Sequence, residues 1–170
     1  NEANTGIIRV EGSGHDFGFS RKTGALERND PTNNLAVQPG KTLALVGGRE
    51  INLAGGNLRA ESGVIGLFSL VRGELPIEIN NDQITFKNSP STELGNITLS
   101  GTASVDTSGS QGGYFQVQSR NLRLEQGSVM VSTNQGSQPG KNVTINALDS
   151  IELIGRKPGN ETNSGIGTGF

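Results

Sequence analysis

The stretch "YFQVQSRNLRLEQGSVMVS" places its apolar residues in pairs two apart: Phe115 with Val117, Leu122 with Leu124, Val129 with Val131. A spacing of two puts both members of a pair on one face of an extended strand. The pairs themselves start seven residues apart. In "LALVGGREINLAGGNLRA" the starts fall at Leu43, Ile51 and Leu58, and in "VTINALDSIEL" at Val143 and Ile151. Ile65 with Leu67, Ile97 with Leu99, and Ala103 with Val105 continue the set. No segment supports an amphipathic helix, because Gly, Asn, Asp or Ser interrupts before three turns can form. Longer Gly-rich links return the chain to an equivalent start, 22 residues on from Leu43 to Ile65 and 28 from Phe115 to Val143. The pattern is a degenerate repeat of roughly one circuit of chain.

A single circuit of three short strands cannot bury its own inward side chains. Stacked circuits can, with each strand pairing in parallel with its equivalent about 4.8 Å away. The fold class expected is therefore all-β, a right-handed parallel β-helix. Leu45, Leu53, Leu99, Val117, Leu124, Val131, Ile145 and Leu153 are expected inside, with Gly and Asn at the corners. An antiparallel sandwich or barrel is the alternative, since it too has many short strands. Such folds favour longer alternating strands and more aromatics than the 4% found here, where Trp is absent.

Composition agrees with a thin, elongated core. Hydrophobic residues are 31% of the 170, Gly accounts for 26, and the net charge is only -2. Leu, Ile, Val and Phe make up about a quarter, above the level that marks disorder. With no cysteine, a disulfide framework and thiol chemistry are excluded. No apolar run is long enough to span a bilayer as a helix. The N-terminus "NEANTGIIRVEG" lacks a basic region followed by an apolar one, and "NSGIGTGF" reads as sequence that continues, so a fragment of a longer protein is expected. A pI near 5.4 with scattered Lys and Arg argues against a nucleic-acid surface.

The whole chain, 1–170, is read as a single segment with two interruptions. An irregular loop or short hairpin is expected at about 11–34. A hairpin excursion is expected at about 74–94, where Ile77 and Ile79, the turn-forming Asn80-Asn81-Asp82, then Ile84 and Phe86 follow one another between Pro76 and Pro90. It should pack on the outside of the stacked circuits.

"LAVQPGKTLALVGGREINLAGGNLRAESGVIGLFSL" (35–70) resembles a segment of filamentous-haemagglutinin-type surface exoproteins, those of photosynthetic bacteria above all. Val37, Pro39, Gly40, Thr42, Leu43, Leu45, Val46, Gly47, Gly48, Gly55, Gly56 and Ala60 carry the likeness. The segment 95–155 and the phrase "GHDFGFS" are similar too, so the resemblance covers about four-fifths of the chain. It implies two-partner secretion through an outer-membrane β-barrel transporter, and a β-helical fibre at the cell surface or released from it. The Asn-Pro-Asn motifs of the family's secretion domain do not occur here, which places this piece beside or after that domain. The function implied is that of a structural and adhesive module without catalysis, whose ligands are carbohydrate or cell-surface structures. The alternatives are a filament subunit assembled by end-to-end edge pairing, giving a homo-polymer, and a β-helical carbohydrate-active enzyme.

Glycoside cleavage needs paired carboxylates, yet Asp106, Glu125, Asp149 and Glu152 stand in different settings. Glu125 and Glu152 follow or flank equivalent strands and should lie near Arg123 on one solvated, charge-mixed face. His15, the only histidine, sits beside Asp16, reads as a surface or loop residue and has no nearby nucleophile. "DTSGSQGG" (106–113) is a single loose copy of a calcium-binding turn and reads as a corner. Thr98, Thr144 and Thr85 face outward without the repeated T-x-T of an ice-binding face. The sequons at Asn96, Asn142 and Asn160 read as corner chemistry. No catalytic, cofactor-binding or metal residue is assigned, and no cofactor is expected.

Overall fold

The computed structural model describes residues 6–19, 22, 26–28, 34–80, 83–87, 93–156, 159 and 163–169. Pro90, Asn81, Asp82, most of 20–33 and Asn160 lie outside them, so the proposed turn at 81–82 and the sequon at Asn160 are not described. The chain is all-β, with no helix among the described residues.

Most strands fall into three parallel ladders. The first is built from β5 (Thr42–Gly47), β8 (Val64–Arg72), the first half of β14 (Tyr114–Glu125) and the first half of β16 (Thr144–Ile154). The second takes β1 (Ile7–Glu11), β6 (Glu50–Ala54), β12 (Asn96–Ser100) and the second halves of β14 and β16. The third takes β4 (Asn34–Ala36), β7 (Asn57–Arg59), β13 (Ser104–Asp106), β15 (Val129–Thr133) and β17 (Gly165–Gly169). β14 and β16 each pass from the first ladder to the second, and their pairing shifts register between Ser119 and Asn121.

Register aligns like with like. Ile8, Ile51, Ile97, Leu122 and Ile151 form one row of the second ladder, and Val10, Leu53, Leu99, Leu124 and Leu153 the next. Leu45, Leu67, Val117 and Ile145 form a row of the first, and Leu35, Leu58, Val105, Met130 and Ile166 of the third. The middle members of these rows are buried together in one core, with Leu43, Leu45, Val10 and Ile145 packed against it. In the third ladder the inward residue is Met130, not Val131, because β15 pairs Met130 with Val105. Leu153, expected inside, is 50% exposed because β16 is the last strand of its ladder among the described residues.

The corner after the second ladder has a fixed chemistry. Gly55, Gly101, Gln126 and Gly155 each directly follow a strand, and all four have positive φ. Gly suits that conformation, and Gln126 bears its strain there.

Antiparallel pairs make the sheets mixed. β9 (Ile77–Asn80) pairs with β10 (Gln83–Phe86) as a hairpin, β11 (Glu93–Leu94) returns against β8, and β2 (Phe17–Phe19) pairs with β3 (Leu26–Arg28).

Candidate functional site

The two hairpins each cover part of one of the three outer surfaces. On the first ladder Gly66 and Phe68 point away from the core. The Phe86 ring lies 4.4 Å from that of Phe68, centroid to centroid, and buries it. Gln116 Nε2 donates to the Phe86 carbonyl at 2.9 Å, fixing β10 over β14. A Cβ on Gly66 would overlap the Phe68 ring, so this position needs glycine for the close approach.

On the third ladder the cover is a strap whose described residues are 12–19 and 26–28. Gly12 and Gly14 N–H donate to the carbonyls of Ala54 and Gly55, and His15 N–H to that of Thr102. The strap thus climbs the corner from one strand level to the next. Asn57 Nδ2 donates to the Gly14 carbonyl at 2.8 Å, and Ser104 Oγ to Asn57 Oδ1. Further along, Arg28 grips Asp106, which is buried and also held by Arg59.

His15 belongs to this strap. It is a loop residue but, against the surface placement also expected, it is buried, with Nε2 2.9 Å from the Gly127 carbonyl oxygen and Nδ1 accepting from Phe17 N–H. Its ring stacks on Phe17. The arrangement anchors a loop to a corner. Asp106 is likewise the anchor of an ion-pair cluster, and its Oδ1 accepts from Ser108 N–H at the start of the 106–113 corner.

The outer face of the second ladder is left open. None of its outward side chains, from Arg9 and Glu11 on β1 to Ser150 and Glu152 on β16, is buried. Two polar rows cross it. Asn96, Asn121 and Ser150 occupy successive strands, with Asn121 Nδ2 donating to Asn96 Oδ1 at 3.0 Å and Ser150 Oγ to Asn121 Oδ1 at 2.8 Å. Beside it stand Thr98, Arg123 and Glu152. Arg123 binds Glu125 at 2.9 Å and Glu152 at 2.5 Å. Hydrogen bonds first to Glu125 and then to Glu152 hold the Arg123 guanidinium above even its ordinary high pKa. The rows flank a trough of about 270 Å³.

Glu125, Glu152 and Arg123 therefore do come together, as the repeat places them. Asp149 lies apart, 3.9 Å from Arg120. Thr98, Thr144 and Thr85 sit on the second ladder, the first ladder and the β9–β10 hairpin respectively, so they form no common array. Among the described residues no group of three His, Asp or Glu side chains is placed to hold a metal. Asn96 is engaged in the polar row, and Asn142 lines a separate cleft of about 210 Å³ with Lys141, Ser132 and Asn134.

The Asn96–Asn121–Ser150 row carries no sequence motif. Its signal in the sequence is positional: each residue immediately precedes the first inward residue of its strand, Ile97, Leu122 and Ile151. Comparison with protein-family models, with curated proteins and with solved structures finds no match.

Proposed function

We propose that this chain is a segment of right-handed parallel β-helix with extra-helical hairpins. In this reading it serves as a structural and adhesive module of a secreted, fibre-forming, haemagglutinin-like bacterial surface protein. The observation that carries the reading is the chain order: it visits the first, second and third ladders in turn, then repeats, each time adding one strand to each. Apolar rows in register through such a stack give a stiff body whose outward residues are free to vary. The likeness of residues 35–70 and 95–155 to two-partner-secretion exoproteins supplies the setting: export through an outer-membrane transporter and display at the cell surface.

A non-enzymatic role fits the acidic residues. Glu125 and Glu152 share one guanidinium on an open face, and such a face does not exclude water from a reacting bond. A filament subunit is a second reading, favoured by the exposure of Leu148, Ile151, Leu153 and Ile154 along β16. An unpaired strand with apolar neighbours is a template for another strand.

Negative-stain electron microscopy of the purified chain, with a cell-adherence assay on the same preparation, tests both readings. Short rods that adhere to cells are expected, and long fibres would favour the filament. Globular particles that do not adhere would overturn the proposal, as would polysaccharide cleavage lost in Glu125→Gln or Glu152→Gln.

A further inference from the structure

We infer that the trough on the outer face of the second ladder binds a linear, uncharged, extended β-linked polysaccharide lying across the strands. The inference rests on the adhesive reading above and assigns its contact surface.

The open face stands out because strap and hairpin already occupy part of the outer surface of each of the other two ladders, at Asn57, Ser104 and Asp106 and at Phe68. What remains is polar and fixed. Asn121 is held on both sides, by Asn96 and by Ser150, so its amide is ordered before any ligand arrives. Each group keeps unused capacity. An amide NH₂ has two donors and its oxygen two acceptor sites, and a serine hydroxyl accepts as well as donates. Arg123 has five N–H donors, more than its two carboxylate partners require. Preorganised donors and acceptors lower the ordering cost of binding.

Charge and shape select the class of partner. The trough contains one cation and one carboxylate, Arg123 and Glu152, with Glu125 beside them, so it has no net attraction for a polyanion. The trough-lining side chains include no aromatic ring and no apolar patch of the kind that anchors a protein interface. A ligand dense in hydroxyl groups matches the alternating donors and acceptors. The strands advance by about 4.8 Å, close to the advance of one pyranose unit along an extended β-1,4-linked chain. Successive sugars, alternately turned over along such a chain, would therefore meet successive positions of the polar rows on β12, β14 and β16.

The test is an NMR titration of the intact chain with β-1,4-linked glucose and N-acetylglucosamine oligomers of two to six units. Expected are shifts confined to amides of β6, β12 and the second halves of β14 and β16, with affinity rising up to about the length that spans the described strands. Asn121→Ala should weaken the hexamer at least tenfold while leaving the unbound spectrum elsewhere unchanged. Arg123→Lys should weaken it less than Arg123→Ala. Absence of binding by either hexamer, shifts on another face, or full affinity in Asn121→Ala would overturn the trough assignment. Rods that adhere without binding either hexamer would defeat this inference alone. Loss of rods and adherence together would defeat the reading beneath it.

Discussion

Arg28 and Asp106, 78 residues apart, meet with Nε 2.5 Å from Oδ2 and Nη2 3.1 Å from Oδ1. This two-point clasp ties the far end of the strap to the third ladder. Arg59, one strand away in register, adds Nη1 at 3.3 Å to the same carboxylate. Asp106→Ala would leave two guanidinium groups without their shared anion and the Ser108 N–H without its acceptor. Breaking a buried pair from one side costs about 3–5 kcal/mol. Arg28→Ala should cost less, about 1.5–3 kcal/mol, because Arg59 still neutralises Asp106. Urea denaturation of the two variants checks the order, and a larger loss for Arg28→Ala would contradict it.

Two leucines in one row separate core from edge. Leu124 is fully buried between Leu99 and Leu153, whereas Leu153 is half exposed. Leu124→Ala should cost about 2–5 kcal/mol. Leu153→Ala should cost less than half of that in the same urea titration. Equal costs would mean that the edge row is covered in solution.

The contrast also marks how far the sequence was legible. A spacing of two with starts seven or eight apart identified the bursts, and Leu53, Leu99, Val117 and Leu124 are buried as expected. The pattern could not rank Val131 against Met130, because "SVMVS" is apolar at three consecutive positions and alternation gives no phase there. It could not see that Leu153 lies on an edge, since exposure at the end of a stack depends on neighbours and not on the strand itself. His15 was legible as a loop residue. Its burial was not, because it depends on the strap meeting the Gly127 corner, 112 residues away. Glu125, Arg123 and Glu152 were found because equivalent positions in successive strands become neighbours. The Asn96–Asn121–Ser150 row follows the same rule but differs in residue type, so no motif announced it.

Phe86 should decide whether the hairpin is fastened. Its ring is buried against Phe68, and its carbonyl accepts from Gln116. Phe86→Ala removes the ring and should cost about 3–5 kcal/mol if the hairpin and ladder unfold together. Hydrogen exchange gives the finer result. Amides of β9 and β10 should lose protection first, while those of β12 keep theirs. Undiminished protection in the hairpin would show that the aromatic contact does not hold it.

Ser119 offers a substitution that should do little harm. It is fully buried, and among the described residues its Oγ has no hydrogen-bond partner. Deleting an unsatisfied buried hydroxyl removes a desolvation penalty and leaves no orphaned group behind. Ser119→Ala is therefore expected to fall within about 0.5 kcal/mol of the parent or to be mildly stabilising. A loss above about 1.5 kcal/mol in thermal or urea denaturation would assign the hydroxyl a partner in solution.

Tyr114 makes stability depend on alkaline pH in a direction that can be worked out. Burial disfavours the phenolate, so its pKa in the folded chain is raised above the usual value near 10. Below the unfolded value the phenol is neutral in both states and full stability is present. As pH rises, the unfolded chain ionises first, and stability falls until the folded phenol also titrates. Tyr114 is the only tyrosine and there is no tryptophan, so the phenolate absorbance band reports this residue alone. A native titration midpoint above 10 is expected, returning towards 10 in urea. Tyr114→Phe should lose only the long 3.5 Å hydrogen bond to the Ile84 carbonyl. It should also remove this residue's share of the alkaline destabilisation, read as the difference between the two proteins' stability-versus-pH curves. Identical midpoints in native and urea-unfolded chains would place the ring in water and undo the Tyr114 contact with the hairpin.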